Sequence, residues 1–152
     1  MEALSPDSLV TIDAKAIRTL NLQALSAWME RPLQELLDAG AVLELRYDWP
    51  REVDDPRELS ECPEPRLWAL RADAHYPWLP LLLDRTGGSL AQHVAMLVPH
   101  DFSPSEGIRF DPQALELWIT HRLMLLNQLG NSSNVSGGQR GNLSLMAASL
   151  GF

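Results

Sequence analysis

Alternating and helical patterns of apolar residues predict short elements in the first third of the chain. The stretches SLVTID (residues 8–13) and AVLELRYDW (41–49) alternate apolar and polar side chains with the two-residue period of a strand. Between them, NLQALSAWMERPLQELLDAG (21–40) repeats apolar residues at helical spacing. Pro32 interrupts that repeat, so the sequence predicts two short helices or one bent helix there.

The middle of the chain contains two further candidate strands. RLWALRAD (66–73) is interpreted as another strand, in which Leu67, Ala69 and Arg71 alternate with Trp68, Leu70 and Ala72. SLAQHVAMLVPHDF (89–102) fits either the return strand of a hairpin or a short helix, and it follows the turn-forming residues TGGS (86–89). The apolar residues just before Pro99 favour the strand.

The clearest helix of the sequence is FDPQALELWITHRLMLLNQLG (110–130). Asp111 is a good N-cap residue, and Pro112 suits the first helical position. Gly130 is typical of a helix end. The remaining residues, 131–152, are dominated by Asn, Ser and Gly, which predicts a disordered tail.

These elements together predict an α+β fold. Early strands, a central hairpin and a final helix indicate a small, mainly antiparallel sheet with helices packed on one face. A chain of 152 residues is long enough for one domain and hardly for two. We therefore expect a single globular domain over residues 1–130, followed by the tail at 131–152.

The charge balance narrows the class of partner. The net charge is −8, from 20 acidic and 12 basic residues. This balance argues against nucleic acid and against an anionic membrane surface, and it favours a partner with a basic patch. No apolar run is long enough to span a bilayer, and the first residues, MEALSPDS, resemble neither a secretory signal nor a transit peptide. We expect a cytoplasmic protein without stable membrane insertion.

Residues that could carry catalysis or hold a metal are sparse. The four histidines include no pair at helical spacing, and Cys62 is the only cysteine, so we predict no metal site and no cofactor. Glu61 and Glu64 flank Cys62 and oppose formation of a thiolate. Neither a G-x-S-x-G nucleophile motif nor a phosphate-binding loop is present. The sequence therefore predicts no catalytic residue, and we expect a protein that is not an enzyme.

The most unusual stretch is DDPRELSECPEPR (residues 54–66), here called the charged segment. It combines five acidic with two basic residues and three prolines. We expect Asp55 to cap a single helical turn that begins at Pro56. The segment is either a solvated, ion-paired loop or a recognition loop whose prolines lower the cost of ordering. The candidate polar contacts are Asp54, Asp55, Arg57, Glu58, Glu61 and Arg66.

A second candidate for binding is the aromatic stretch HYPWLP (75–80), because large aromatic side chains dominate many binding hot spots. Tyr76, Pro77 and Trp78 are the candidate apolar anchor. The alternative is that Trp78 enters the hydrophobic core.

Four motifs resemble the chlororespiratory reduction six family: DDPRELSECPEPRLW, YPWLPLLLD, AMLVPH and FDPQALELWI. The similarity covers roughly residues 40–129. It implies an assembly factor for the photosynthetic NDH-1 complex of cyanobacteria and chloroplasts, which carries electrons from ferredoxin to plastoquinone. The resemblance further implies action on the iron–sulfur subunit of the peripheral arm, and it supplies no catalytic residues. Because the first residues do not resemble a transit peptide, the resemblance favours a bacterial cytoplasm over a chloroplast stroma.

Two other functions remain open from the sequence. One is a small enzyme that modifies the same subunit, which requires a cleft of ionisable groups or a bound small molecule. The other is a donor of metal or of an iron–sulfur cluster, which a single cysteine disfavours because such clusters are held by several thiolates.

Overall fold

The computed structural model describes residues 9–32, 43–83 and 89–133. The elements in these ranges are, in chain order, β1 (Leu9–Asp13), α1 (Ala14–Arg18), α2 (Gln23–Met29), β2 (Glu44–Asp48), a 3₁₀ turn (Leu59–Glu61), α3 (Pro63–His75), α4 (Leu79–Leu82), α5 (Ser89–Ala95), β3 (His100–Ser103), β4 (Gly107–Phe110) and α6 (Pro112–Ser133).

The predicted α+β class is confirmed, but the strands do not form one mainly antiparallel sheet. Strand β1 pairs with β2 in parallel, and β3 pairs with β4 in an antiparallel hairpin. A parallel pair needs a crossover connection, and α1 and α2 lie in the connection between β1 and β2. Just before β2, Leu43 forms a further parallel bridge with Leu83.

The hydrophobic core is centred on α3 and the inward face of β1. Val10 and Ile12 alternate with exposed residues along β1, as a half-buried strand requires. Trp68 of α3 is fully buried, and its indole Nε1 donates to the carbonyl of Asn21 at 2.9 Å. The ring of Tyr47 meets Trp68 edge-on, with ring centroids 5.7 Å apart. These contacts join α3 to β2 and to the chain between α1 and α2.

The predicted strand at 66–73 is wrong, because this segment lies within helix α3. Its buried residues Pro65, Trp68, Ala69 and Ala72 recur at helical spacing. A proline in the first turn and a run of good helix-forming residues also favour the helix. The two-residue alternation was therefore a weaker signal than the proline that marks the first turn of the helix.

The preference for a strand over 89–102 is wrong for its first half. Residues Ser89–Ala95 form α5, with Leu90 and Val94 buried one turn apart. The strand β3 begins only at His100, after Pro99. Proline interrupts the helix here and separates the two elements.

Helix α6 begins as predicted and extends further than predicted. The Asp111 carboxylate accepts a hydrogen bond from the Ala114 backbone N–H at 3.0 Å, so Asp111 caps the helix. The helix continues to Ser133, so the predicted end at Gly130 is wrong. One glycine inside a helix costs only about 1 kcal/mol relative to alanine.

Several predictions fall on residues outside the described ranges. These are the second helix predicted around 33–40, most of the TGGS turn and the tail from residue 134 onward. Within the described ranges, no helix is long and apolar enough to cross a membrane.

Candidate functional site

The charged segment lies before and at the start of α3, and hydrogen bonds within it fix its first part. Asp55 accepts two kinds of hydrogen bond from Arg57: one from the backbone N–H at 3.0 Å and others from the guanidinium, the shortest at 2.9 Å. Arg51 donates to the backbone carbonyl of Arg57. The hydrogen bonds from Arg57 lower the pKa of Asp55 to about 2. Asp55 therefore stays ionised at neutral pH and can accept these hydrogen bonds from Arg57.

A second set of contacts attaches the charged segment to β3. The Glu58 carboxylate lies 2.8 Å from Nε2 of His100, and the other ring nitrogen of His100 lies 3.1 Å from the Val98 carbonyl. The hydroxyl of the buried Ser60 lies 3.3 Å from the same Nε2. Residues 42 positions apart are thereby joined.

This Ser–His–Glu group does not have the geometry of a nucleophilic triad. In such a triad the carboxylate binds one ring nitrogen and the serine binds the other. Here Ser60 and Glu58 both approach Nε2 of His100, and a backbone carbonyl occupies Nδ1. The group can hold the charged segment against β3, but it does not activate Ser60.

The predicted helical turn with Asp55 as its cap is wrong. Asp55 instead bonds Arg57, and the first turn of helix is the 3₁₀ turn Leu59–Glu61. Pro63, and not Pro56, occupies the first position of an α-helix. The sequence correctly indicated a helix that begins at a proline, but both Pro56 and Pro63 fitted that position.

The candidate polar residues differ in exposure. Asp54, Arg57, Glu61 and Arg66 are exposed, whereas Asp55 and Glu58 are half-buried. Sequence reasoning missed Val53, whose side chain is fully exposed directly before the charged segment. The exposure of Val53 could have been predicted, because it is an isolated apolar residue among charged residues of a loop.

The aromatic residues 76–78 lie against α2. The Tyr76 hydroxyl is 2.8 Å from the Ser26 hydroxyl, and the indole of Trp78 donates to the sulfur of Met29 at 3.1 Å. The two rings meet edge-on with centroids 6.0 Å apart. Tyr76, Pro77 and Trp78 are all half-buried, and both rings pack against the core. Part of each ring surface therefore remains accessible.

The charged segment and the aromatic residues lie toward opposite ends of α3. The helix has 13 residues, and at about 1.5 Å per residue it is about 20 Å long. The two groups are therefore separate surfaces, although they are close in the sequence.

A groove of about 450 Å³ adjoins the charged segment. The groove is lined by β2, the 3₁₀ turn, α5, β4 and two adjoining loop residues, Glu58 and Met96. Because these parts are distant in the sequence, the sequence did not reveal the groove. Its described lining residues are Glu44, Leu45, Arg46, Tyr47, Glu58, Leu59, Ser60, Gln92, Ala95, Met96 and Ile108.

An ionic cluster is buried where α3, α5 and α6 meet. The Asp73 carboxylate lies 3.4 Å from Nε2 of His93 and forms an ion pair with the Arg122 guanidinium. Asp73 and His93 are each 2 % exposed, so a partner cannot reach them. Asp73 lies one helical turn after the buried Ala69 of α3, a signal that sequence reasoning missed. We assign this cluster a structural role.

The remaining candidates for metal or thiol chemistry are few. In the parts of the chain that the structure describes, no three His, Cys, Asp or Glu side chains are arranged to hold a metal ion. Cys62 is 1 % exposed, and its thiol donates to the Glu58 carbonyl at 3.7 Å.

Fold and site together define a small α+β protein with an ordered, charged surface. The sequence model of the Chlororespiratory reduction 6 family matches residues 12–152, and the chain belongs to this family. The resemblance found in the sequence motifs is thereby confirmed. No solved structure matches the chain. Members of this family are assembly factors instead of enzymes, and membership indicates a role in assembly and accumulation of the NDH complex.

Proposed function

We propose that the chain is a soluble assembly factor that binds the iron–sulfur subunit of the NDH-1 peripheral arm before that subunit is incorporated. The family match over residues 12–152 is the observation that carries this proposal. In this proposal the protein acts by binding and not by catalysis, in the cytoplasm of a cyanobacterium. The net charge of −8 supports a protein partner over nucleic acid or an anionic membrane.

The charged segment is the proposed polar contact. Its Asp55–Arg57 and Glu58–His100 contacts order the backbone before any partner binds, which reduces the entropy lost on binding. Its exposed charges set the rate of encounter and the register of the complex more than the final affinity. This combination suits a factor that must later release its client. The proposed contacts are Asp54, Asp55, Arg57, Glu58, Glu61 and Arg66.

Tyr76, Pro77 and Trp78 form a proposed second, apolar contact at the other end of α3. Because Tyr76 and Trp78 also bind α2 through their polar atoms, only the outer parts of the rings are available to a partner. We therefore propose that the Tyr76 and Trp78 rings contribute only a smaller part of the binding energy.

The test is a charge exchange that preserves the internal ion pair. The double variant Asp55→Arg/Arg57→Asp keeps the net charge but exchanges the positions of two charges in the charged segment. The control, Asp101→Arg/Arg109→Asp, exchanges a more exposed ion pair on the β3–β4 hairpin, whose Nε–Oδ1 distance is 3.1 Å. Binding of the purified iron–sulfur subunit is measured by biolayer interferometry at low and physiological salt.

We expect the Asp55/Arg57 variant to associate about tenfold more slowly at low salt, because the exchanged charges then face like charges of the subunit at the contact. The control variant should associate like the wild type. Circular dichroism checks that both variants are folded. Equal association rates for all three proteins would show that the charged segment is not the contact. Absence of binding by the wild type would contradict the proposed client itself.

A further inference from the structure

The groove beside the charged segment runs along one edge of β2. Its lining includes four consecutive strand residues, Glu44 to Tyr47. A groove over one face of a strand is lined by alternate residues, because successive side chains point to opposite faces. Strand β1 pairs with β2 over its whole length, from Glu44 to Asp48. The groove therefore lies along the edge of β2 that faces away from β1, beyond the point where Leu43 bridges Leu83.

The apolar face of the small sheet is incompletely covered at this edge. Val10 and Ile12 of β1 are buried, and their partners in register are Leu45 and Tyr47 of β2. Leu45 and Tyr47 point to the same face but are only half-buried. The hydroxyl of Tyr47 is inaccessible and has no hydrogen-bond partner among the described residues. An incoming segment would complete the cover over this pair.

The far side of the groove supplies apolar contacts. Met96, just after α5, and Ile108 of β4 both line it. Ile108 is paired with Phe102, whose side chain is 62 % exposed on the same face of the hairpin. A volume of about 450 Å³ lies within the range of about 300–1,000 Å³ that is usual for binding pockets. The site can therefore take a large apolar side chain together with part of a main chain.

The charges at the groove indicate the chemistry of the occupant. Of the charged lining residues that the structure describes, Glu44 and Glu58 are acidic and Arg46 is basic. Glu58 and Ser60 also belong to the charged segment, so its acidic surface continues to the mouth of the groove. An apolar segment with a neighbouring Lys or Arg is complementary to this surface.

We propose that the groove binds an extended segment of the client polypeptide, which adds as a strand to the edge of β2. Main-chain hydrogen bonds to β2 supply affinity, and one apolar side chain between Leu45, Met96 and Ile108 supplies specificity. A flanking basic residue of the client faces Glu44 or Glu58. The identity of the client rests on the proposed function, whereas the mode of binding rests on the groove.

The first experiment obstructs the groove. Ile108→Arg places a long cation at its half-buried wall, and Leu117→Arg is the matched control at a residue of α6 that is 72 % exposed. Affinity for the purified iron–sulfur subunit is measured by calorimetry, and thermal unfolding checks each fold. We expect Ile108→Arg to weaken binding by about tenfold or more and the control to change it by no more than about twofold. Unchanged binding by a folded Ile108→Arg protein would overturn the proposal.

The second experiment uses the unmodified protein and so does not depend on the stability of a variant. Hydrogen–deuterium exchange of the complex should show slowed exchange of backbone amides in residues 44–48, because an added strand protects the edge of β2. Unchanged exchange in this peptide, with protection elsewhere, would exclude strand addition.

A third experiment separates failure of the groove from failure of the client. If the wild type does not bind the subunit, a displayed library of random peptides is selected against the wild type and against Ile108→Arg. If only the wild type enriched peptides with apolar and basic residues, the groove would be supported as a peptide-binding site and the iron–sulfur subunit would be rejected as its client. If no such peptides were enriched, both the groove as a binding site and the iron–sulfur subunit as the client would be rejected.

Discussion

Replacement of Arg122 by methionine tests the buried ionic cluster most directly. Arg122 is the strongest partner of the Asp73 carboxylate, whose side chain is only 3 % exposed. Methionine keeps much of the aliphatic stem, but it lacks the guanidinium, whose Cζ lies 5.9 Å from the centroid of the Trp118 ring. The substitution therefore removes mainly the charge and its hydrogen bonds. What remains beside the carboxylate is the imidazole of His93 at 3.4 Å.

The expected loss of stability is large because the carboxylate remains buried. Removing one member of a buried ion pair costs about 3–5 kcal/mol. Unfolding of a domain has a free energy of about 5–15 kcal/mol, so the variant loses a substantial share of its stability. For a chain of this size about 1 kcal/mol corresponds to about 2–4 °C, which predicts a fall in Tm of roughly 6–20 °C.

The assay is urea unfolding followed by tryptophan fluorescence, supported by thermal melts. The companion variant Asp73→Leu/Arg122→Met removes both charges and leaves no buried carboxylate. It should be more stable than Arg122→Met alone, since apolar replacement of a complete buried pair is often neutral or stabilising. If Arg122→Met unfolded within about 0.5 kcal/mol of the wild type, a typical value for surface substitutions, the buried-charge reasoning would be refuted.

Three further predictions concern single residues. Asp55 should titrate by NMR with a pKa of about 2, and Arg57→Ala should return this pKa toward the ordinary value of 3.8. Because folding lowers the pKa of Asp55, its ion pair with Arg57 stabilises the fold at pH values above 3.8, and this stabilisation is lost as the pH falls toward about 2. Cys62 is 1 % exposed, so iodoacetamide should modify it only after denaturation, and rapid labelling of the native protein would contradict the structure. Asp111→Ala removes the cap that accepts from the Ala114 N–H and should lower the free energy of unfolding by about 0.5–2 kcal/mol, measured in urea; no change would show that the cap contributes nothing.

Elements with a strong local signal were predictable from the sequence. Alternation at 9–13 and 44–48 identified β1 and β2, and the Asp111–Pro112 pair identified the start of α6. The parallel pairing of β1 with β2 was not predictable, because it depends on the crossover connection between the strands and not on the strand sequences themselves. Family motifs in the sequence were sufficient to identify the family.

The errors came from segments in which two periods fit equally well. Residues 66–73 were assigned a two-residue period, yet Trp68 and Ala72 lie one helical turn apart and both are buried. Tertiary packing of Trp68 decided in favour of the helix. In 89–102 the helix and the strand are both present, separated by Pro99.

The candidate site was only partly accessible from the sequence. The charge and stiffness of residues 54–66 were visible, but the contact that orders them, Glu58 to His100, joins residues 42 positions apart. The groove is likewise built from β2, the charged segment, α5 and β4. Only the folded chain brings these side chains together.

The most direct test of the central claim is affinity isolation of the tagged protein from a cyanobacterial extract, followed by identification of the recovered proteins by mass spectrometry. Binding before incorporation predicts enrichment of the iron–sulfur subunit of the NDH-1 peripheral arm without the membrane subunits. An untagged strain controls for background, and the Ile108→Arg protein should recover less of the subunit. Recovery of the complete complex would indicate a stable subunit or a regulator instead of an assembly factor. If no NDH-1 protein were enriched, even after crosslinking, the account would be contradicted.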